Sequence, residues 1–300
     1  MDIGASILAK LKNKSQSSGM SYQIHLRLFC QEEFLRRLSL SKYVDNLILK
    51  GGLFIFTLSG FESRVTIDID FLLKQIPCSM DEVEKIVAEI INTTSGNDFV
   101  TFEINGIKEI ALQRKYKGAS FKLIGKIKNT KTPFIIDFGI GDVIVPKAEK
   151  RRIPTQLDSF TSPEISTYSL ESTVAEKFDA ILERMELTSR LKDYYDIYYI
   201  IQTFDFEGRK LQEAIMQTLE TRGTNYERNS FKEIIDFANN EAMLIKWQQF
   251  IKRTKLPDIS FSEVITLLNS FLGDIWNAII NEDEWFKNWS CLDSSWYSNN

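Results

Sequence analysis

Asp68-Ile69-Asp70 constrains this chain more than any other stretch of it. The tripeptide lies within Val65 to Leu73, a run rich in β-branched and apolar residues that reads as a strand. Side chains on a strand alternate between faces, so Asp68 and Asp70 point one way. Ile67, Ile69 and Phe71 point the other way, toward a core. A fold that accepts this strand must bury one of its faces and tolerate two like charges on the other. A divalent cation between the carboxylates resolves their repulsion. Simple solvation of an outer strand face, the common setting of an isolated D-x-D, resolves it too.

Two further features bear on that choice. Gly51-Gly52 follows the short apolar strand Leu47-Ile48-Leu49 and precedes Leu53 to Leu58, which reads as a helix. Backbone N–H groups exposed at such a strand-to-helix turn can hold a phosphate, although a glycine pair also serves as a tight turn with no ligand. Asp137 sits mid-strand in Ile135-Ile136-Asp137-Phe138, where a buried acid needs a metal, a cation or a sheet edge. A third carboxylate on a strand beside the D-x-D would suit two Mg²⁺ ions holding a nucleoside triphosphate against an attacking hydroxyl. Asp142, after Gly139 and Gly141, reads as a turn residue.

Periodicity organises the rest. The first fifty residues and Met80 to Ile91 have helical spacing, Phe99 to Val145 holds several strands, and Pro146, Pro154 and Pro163 punctuate a polar connection. Beyond it nearly everything reads as helix. The expectation is an α+β chain: residues 1–160 a mixed α/β domain with N-terminal helices, and 161–300 a helical domain. Composition narrows the chemistry. A single histidine, His25, excludes sites that need two imidazoles, and it reads as a surface or packing residue. Cys30, Cys78 and Cys291 are too scattered for a disulfide framework or a C-x-x-C metal site, and they fit a reducing cytosol. No apolar run is long enough to span a bilayer, and the N-terminal charges stand in the wrong order for a secretory signal. A cytoplasmic protein with no membrane partner is expected.

The net charge of −4 hides a contrast. Between Lys108 and Arg152 there are twelve bases and four acids, an excess of eight that could face phosphates or simply form a solvated sheet face. The tail beyond Asp274 is acidic. In the helical half, Lys177 taken singly is a solvated helix lysine, and Asp193 is a helix-start acid balancing the dipole. Asp193 and Asp196 are three apart and share a helix face. Tyr195, Tyr198, Tyr199 and Phe204 read as core rather than as a base-stacking platform.

Four segments in this order resemble the AbiEii/AbiGii nucleotidyltransferase-like toxins of bacterial abortive-infection and type IV toxin–antitoxin systems. They are Leu49-Lys50-Gly51-Gly52, then Arg64-Val65-Thr66-Ile67-Asp68-Ile69-Asp70, Ala175-Glu176-Lys177, and Arg190-Leu191-Lys192-Asp193-Tyr194-Tyr195-Asp196. The resemblance covers roughly Ser21 to Ile201 and leaves the last hundred residues without a motif. It implies a polymerase-β-like nucleotidyltransferase mixed sheet with flanking helices, followed by a helical bundle that completes the cleft. On this pattern Asp68, Asp70 and Asp137 hold Mg²⁺, and Gly51, Gly52, Arg64, Thr66 and Lys177 bind the nucleoside triphosphate, GTP or CTP. Asp193 and Asp196 complete the cleft, and Asp137 accepts the proton of the attacking hydroxyl. The second residue of the first motif is often serine, whereas here it is Gly52. The implied partners are an RNA or tRNA acceptor and a cognate antitoxin, which need not bind directly. A non-catalytic NTP-binding or partner-binding module and a metal-dependent nuclease are the rival readings.

Overall fold

The alternation around Asp68 is realised at the centre of a seven-stranded mixed sheet. A computed structural model of the chain describes residues 2–76, 79–111, 117–185 and 190–298. The chain forms two compact units: Met1–Gly141 with Glu149–Thr167, and Asp142–Ala148 with Tyr168–Asn300.

The first unit runs α1 (Ile3–Ser18), α2 (Tyr22–Leu40), β1 (Leu47–Lys50), α3 (Gly51–Leu58), β2 (Asp68–Leu73), α4 (Met80–Asn92), β3 (Val100–Ala111), β4 (Lys117–Ile127), β5 (Thr130–Gly139), β6 (Glu149–Arg152) and β7 (Glu164–Thr167). The sheet order is β3-β4-β5-β2-β1-β7-β6. Pairs β2·β5 and β1·β7 are parallel, and the others are antiparallel. One face is packed: Ile69, Phe71, Phe121, Ile136 and Phe138 are fully buried or nearly so. Phe71 stacks on Phe138, and Phe34 of α2 packs against Phe71 and edge-on to Phe102. Helix α2 lies so close to β4 that a methyl group on Gly125 would fall 2.5 Å from Cys30 Sγ. Each large apolar side chain buried here contributes roughly 1.5–3 kcal/mol. A one-residue slip of β2 would exchange Ile69 and Phe71 for aspartates, so the register is strongly specified. On α4 the apolar stripe Val83, Ile86, Val87 and Ile90 is fully buried, and the Ser79 hydroxyl caps the helix at Glu82 N.

The expected strand from Val65 begins only at Asp68. Ile67 is half exposed, and its carbonyl accepts from Gln31 Nε2 at 2.9 Å rather than from a neighbouring strand. The sheet also reaches past residue 160, because β7 pairs with β1. His25 is fully buried between Ser18 Oγ and Gln156 Oε1, each 2.8 Å away, which makes it a packing residue and not a surface one.

The second unit contains α5 (Leu170–Arg184), α6 (Leu191–Thr203), β8 (Phe206–Glu207), α7 (Gly208–Arg222), α8 (Ser230–Asp236), α9 (Glu241–Thr254), α10 (Phe261–Ile280), β9 (Asn288–Ser290) and β10 (Ser295–Tyr297). It is helical except for a small β10-β9-β8 sheet that periodicity did not reveal, since strands of two or three residues are too short to establish a period. Trp276 meets Phe178 edge-on at 5.7 Å, and Trp289 is buried against Phe271. Tyr194, Tyr195 and Tyr198 are buried, whereas Tyr199 and Phe204 are only partly so. No helix among the described residues is long and apolar enough to cross a membrane. Cys78, Arg114 and Lys115 lie outside the described residues.

Candidate active site

The charged face of the sheet is built by register. Asp70 stands directly opposite Asp137 across the parallel β2·β5 pair, and opposite Lys50 across β1·β2. Asp137 stands opposite Ser120, and Ser120 opposite Lys108. Directly paired residues share a face, so one row crosses five strands as Lys50, Asp70, Asp137, Ser120 and Lys108. Asp68 lies one pleat along on the same face, in the row of Ile135 and Lys122. All three aspartates are partly exposed, and the side chains between them on the strands are buried on the opposite face.

Beside this row, the strand-to-helix turn is shaped by what glycine lacks. Gly51 has φ +69°, and a methyl group there would overlap the Asp70 carboxylate, so both backbone and space demand glycine. At Gly52 an added methyl group would fall 2.8 Å from Thr66 Oγ1 and 3.4 Å from Arg64 Nη2. Four of the proposed nucleotide-binding residues, Gly51, Gly52, Arg64 and Thr66, therefore gather at the start of α3. Lys50 at the N-cap carries no hydroxyl or carboxylate to cap the first N–H groups, which leaves them suited to an anion.

These residues fit a hard divalent ion. The donors are carboxylate oxygens, and the carboxylate of Asp70 rests in a cradle that a Cβ on Gly51 would fill. Among the described residues no three Asp, Glu, His or Cys side chains are gathered into a ready-made metal cage. Strands about 4.8 Å apart nevertheless bring Asp70 and Asp137 within reach of a shared ion by side-chain rotation.

A second charged centre lies within the helical unit. Lys177 Nζ on α5 donates to Asp193 Oδ1 at 3.0 Å and to Asp196 Oδ2 at 2.5 Å, both on α6. All three side chains are buried, so Lys177 is not the solvated lysine its local sequence suggests. Asp193 does stand in the first turn of α6, but its carboxylate is held by Lys177, with Arg190 Nη1 3.7 Å away.

Arg222 was not apparent from the sequence. Its guanidinium bridges Asp142, Glu176 and Asp179 at 2.9–3.1 Å, and Thr224 also donates to Asp179. Burial opposes the charge on Arg222, but the three carboxylates outweigh it and raise its pKa. Burial likewise raises that of Asp179. Asp142 is thus an ion-pair partner rather than a bare turn residue. The one local hint was Glu176, adjacent to Lys177.

The basic stretch does not form a single surface. Lys150, Arg151 and Arg152 belong to β6, at the opposite end of the sheet order from β3 and β4. They pair with Asp45, Glu149 and Glu164, while Lys126 pairs with Glu103 and Lys128 with Asp2. Lys108, Lys122 and Lys131 are exposed on the aspartates' face of the sheet and form no ion pair among the described residues.

A family model of the nucleotidyl transferase AbiEii toxin of type IV toxin–antitoxin systems matches residues 33–267. Among solved structures, the chain is similar to MenT4, a nucleotidyltransferase toxin from Mycobacterium tuberculosis. The TM-score is 0.58 at 14% identity, over 92% of this chain and 99% of that one. JHP933 from Helicobacter pylori aligns with a TM-score of 0.49 at 13% identity, over 87% and 94% of the two chains. No curated protein matches the sequence significantly. At such identity the likeness to MenT4 is one of fold: a mixed sheet with flanking helices.

Proposed function

Since this chain belongs to the AbiEii nucleotidyltransferase toxin family of type IV toxin–antitoxin systems, we propose that it moves a nucleoside monophosphate from an NTP to an RNA hydroxyl, with Mg²⁺. The observation that carries this reading is the register that sets Asp70 opposite Asp137, with Asp68 on the same face.

Asp68, Asp70 and Asp137 would hold Mg²⁺, which supplies neutralisation of the triphosphate charge and of the charge developing on phosphorus. The backbone amides of Gly51 and Gly52, with Arg64 and Thr66, hold the phosphates at the start of α3. Asp137 accepts the proton of the acceptor hydroxyl as its oxygen bonds to the α-phosphorus. The bond from that phosphorus to the bridging oxygen breaks, and pyrophosphate leaves with the electron pair. Lys177 serves the triphosphate, and Asp193 with Asp196 holds its ammonium in place. Catalysis is then chiefly positioning and charge compensation. RNA, tRNA included, is favoured as acceptor because Lys108 and Lys122 flank the aspartates on one face. In the cell the protein acts in the cytoplasm as a phage-defence toxin, countered by an antitoxin that need not touch it.

Transfer of label from each α-labelled NTP to cellular RNA tests this reading. Wild type with Mg²⁺ labels RNA, whereas Asp70→Ala does not and also relieves growth arrest. Toxicity surviving in that variant would overturn the proposal. RNA shortening without NTP would replace it with a nuclease, and NTP binding without transfer to any acceptor would replace it with a sensor.

A further inference from the structure

We infer that Thr66 supplies the phosphate-binding hydroxyl of this site from the place a serine at position 52 would occupy, so that Gly52 and Thr66 form an alternative pair. The inference rests on the nucleotide-binding reading above and extends it to the source of one specific contact.

Two glycines open α3, and they are glycines for different reasons. Gly51 has a left-handed φ, whereas Gly52 is not in that region, so its backbone would accept a side chain. Space forbids one. A Cβ at 52 would lie 2.8 Å from Thr66 Oγ1 and 3.1 Å from Thr66 Cβ. A serine hydroxyl there would contend for the volume that the Thr66 hydroxyl already fills.

Thr66 is held in this position from outside the sheet. It precedes β2, and the next carbonyl, that of Ile67, accepts from Gln31 Nε2 at 2.9 Å. The segment is thereby anchored to α2 one residue after Thr66. Arg64 approaches the same point, with Nη2 3.4 Å from the Gly52 methyl position. A hydroxyl, a guanidinium and uncapped helix N–H groups are the donors an anionic phosphate recognises. Thr66 belongs to this set by its hydroxyl, and a space-filling role would need only its shape.

That distinction sets the experiment. The full chain and its variants are titrated calorimetrically with each of the four ribonucleoside triphosphates in Mg²⁺, with thermal melts to verify folding. Thr66→Val keeps the shape and removes the donor, so Mg·NTP binding should weaken about tenfold with the melt unchanged. Gly52→Ser alone should weaken binding by a similar, roughly tenfold factor through the collision with Thr66. In Gly52→Ser/Thr66→Ala the serine hydroxyl takes the vacated place, and affinity should return to within about threefold of wild type. Wild-type affinity in Thr66→Val, or a double variant whose losses simply add, would overturn the inference. If Asp70→Asn abolishes Mg·NTP binding while Thr66→Val does not alter it, only this inference falls. If wild type binds none of the four, both readings fall.

Discussion

The sheet face and the α5–α6 contact each gather acidic residues, and they bury them to different degrees. At Lys177 two buried carboxylates close on one ammonium within hydrogen-bonding distance. Across the sheet, three partly exposed carboxylates share a face, with Lys50 and Lys108 at the two ends of the row. Two carboxylates about 6 Å apart repel by roughly 1–3 kcal/mol at dielectrics between bulk water and a protein surface. The helical carboxylates are closed on an ammonium inside the fold, whereas the sheet carboxylates lie on a partly exposed face. A buried charge without its partner destabilises a fold, but a partly solvated one can be retained for a ligand. This difference separates a buried, closed ion pair from carboxylates that solvent or a ligand can reach.

Substitutions should therefore separate activity from stability. The largest effect expected is on transfer by Asp70→Ala, a loss of about 10³-fold or more, or roughly 4 kcal/mol of transition-state stabilisation. Its urea unfolding midpoint should hold or rise, since one repelling charge has gone; a marked loss of stability would erase the contrast. Lys177→Met should do the reverse structurally. It strands two buried carboxylates and costs about 3–5 kcal/mol in denaturant unfolding, and a variant as stable as wild type would mean that the pair is not closed in solution.

Mg²⁺ gives a gentler comparison. At ten times its Kd the ion should stabilise wild type by about 1.4 kcal/mol, seen as a raised melting temperature. It should stabilise Asp193→Asn by a similar increment but fail to stabilise Asp68→Asn/Asp70→Asn. The smallest effect belongs to the rim. Lys108→Ala/Lys122→Ala should reduce the salt slope of RNA binding by about 2, one per phosphate contact, with NTP affinity unaltered. An unchanged slope would remove these lysines from the acceptor path.

Much of the first unit could be read locally. The strand-turn-helix at Leu47 to Leu58, the stripe of α4 and the outward face of Asp68 and Asp70 all follow from periodicities of two or 3.6 residues. Local reading overextended the strand to Val65, because β-branched residues look alike inside a ladder and beside one. Locally, Lys177 reads as solvated and Asp142 as a turn residue, since neither has its partner nearby in sequence: Asp193 and Arg222 are 16 and 80 residues away. The basic run from Lys108 to Arg152 was continuous only in sequence, and the strand order splits it between β3–β5 and β6.

What the sequence determined by itself was the longer helices, the central strands and the side of β2 on which the D-x-D stands, because these depend on neighbours a few residues apart. Tertiary structure alone decided that β5 lies beside β2 in a register placing Asp137 opposite Asp70, and that α6 closes two carboxylates on Lys177. Those pairings are chosen by burial of the opposite sheet face and of the helix interfaces. The apolar residues thus set the positions of the charged ones, and no local pattern of charge encodes the outcome.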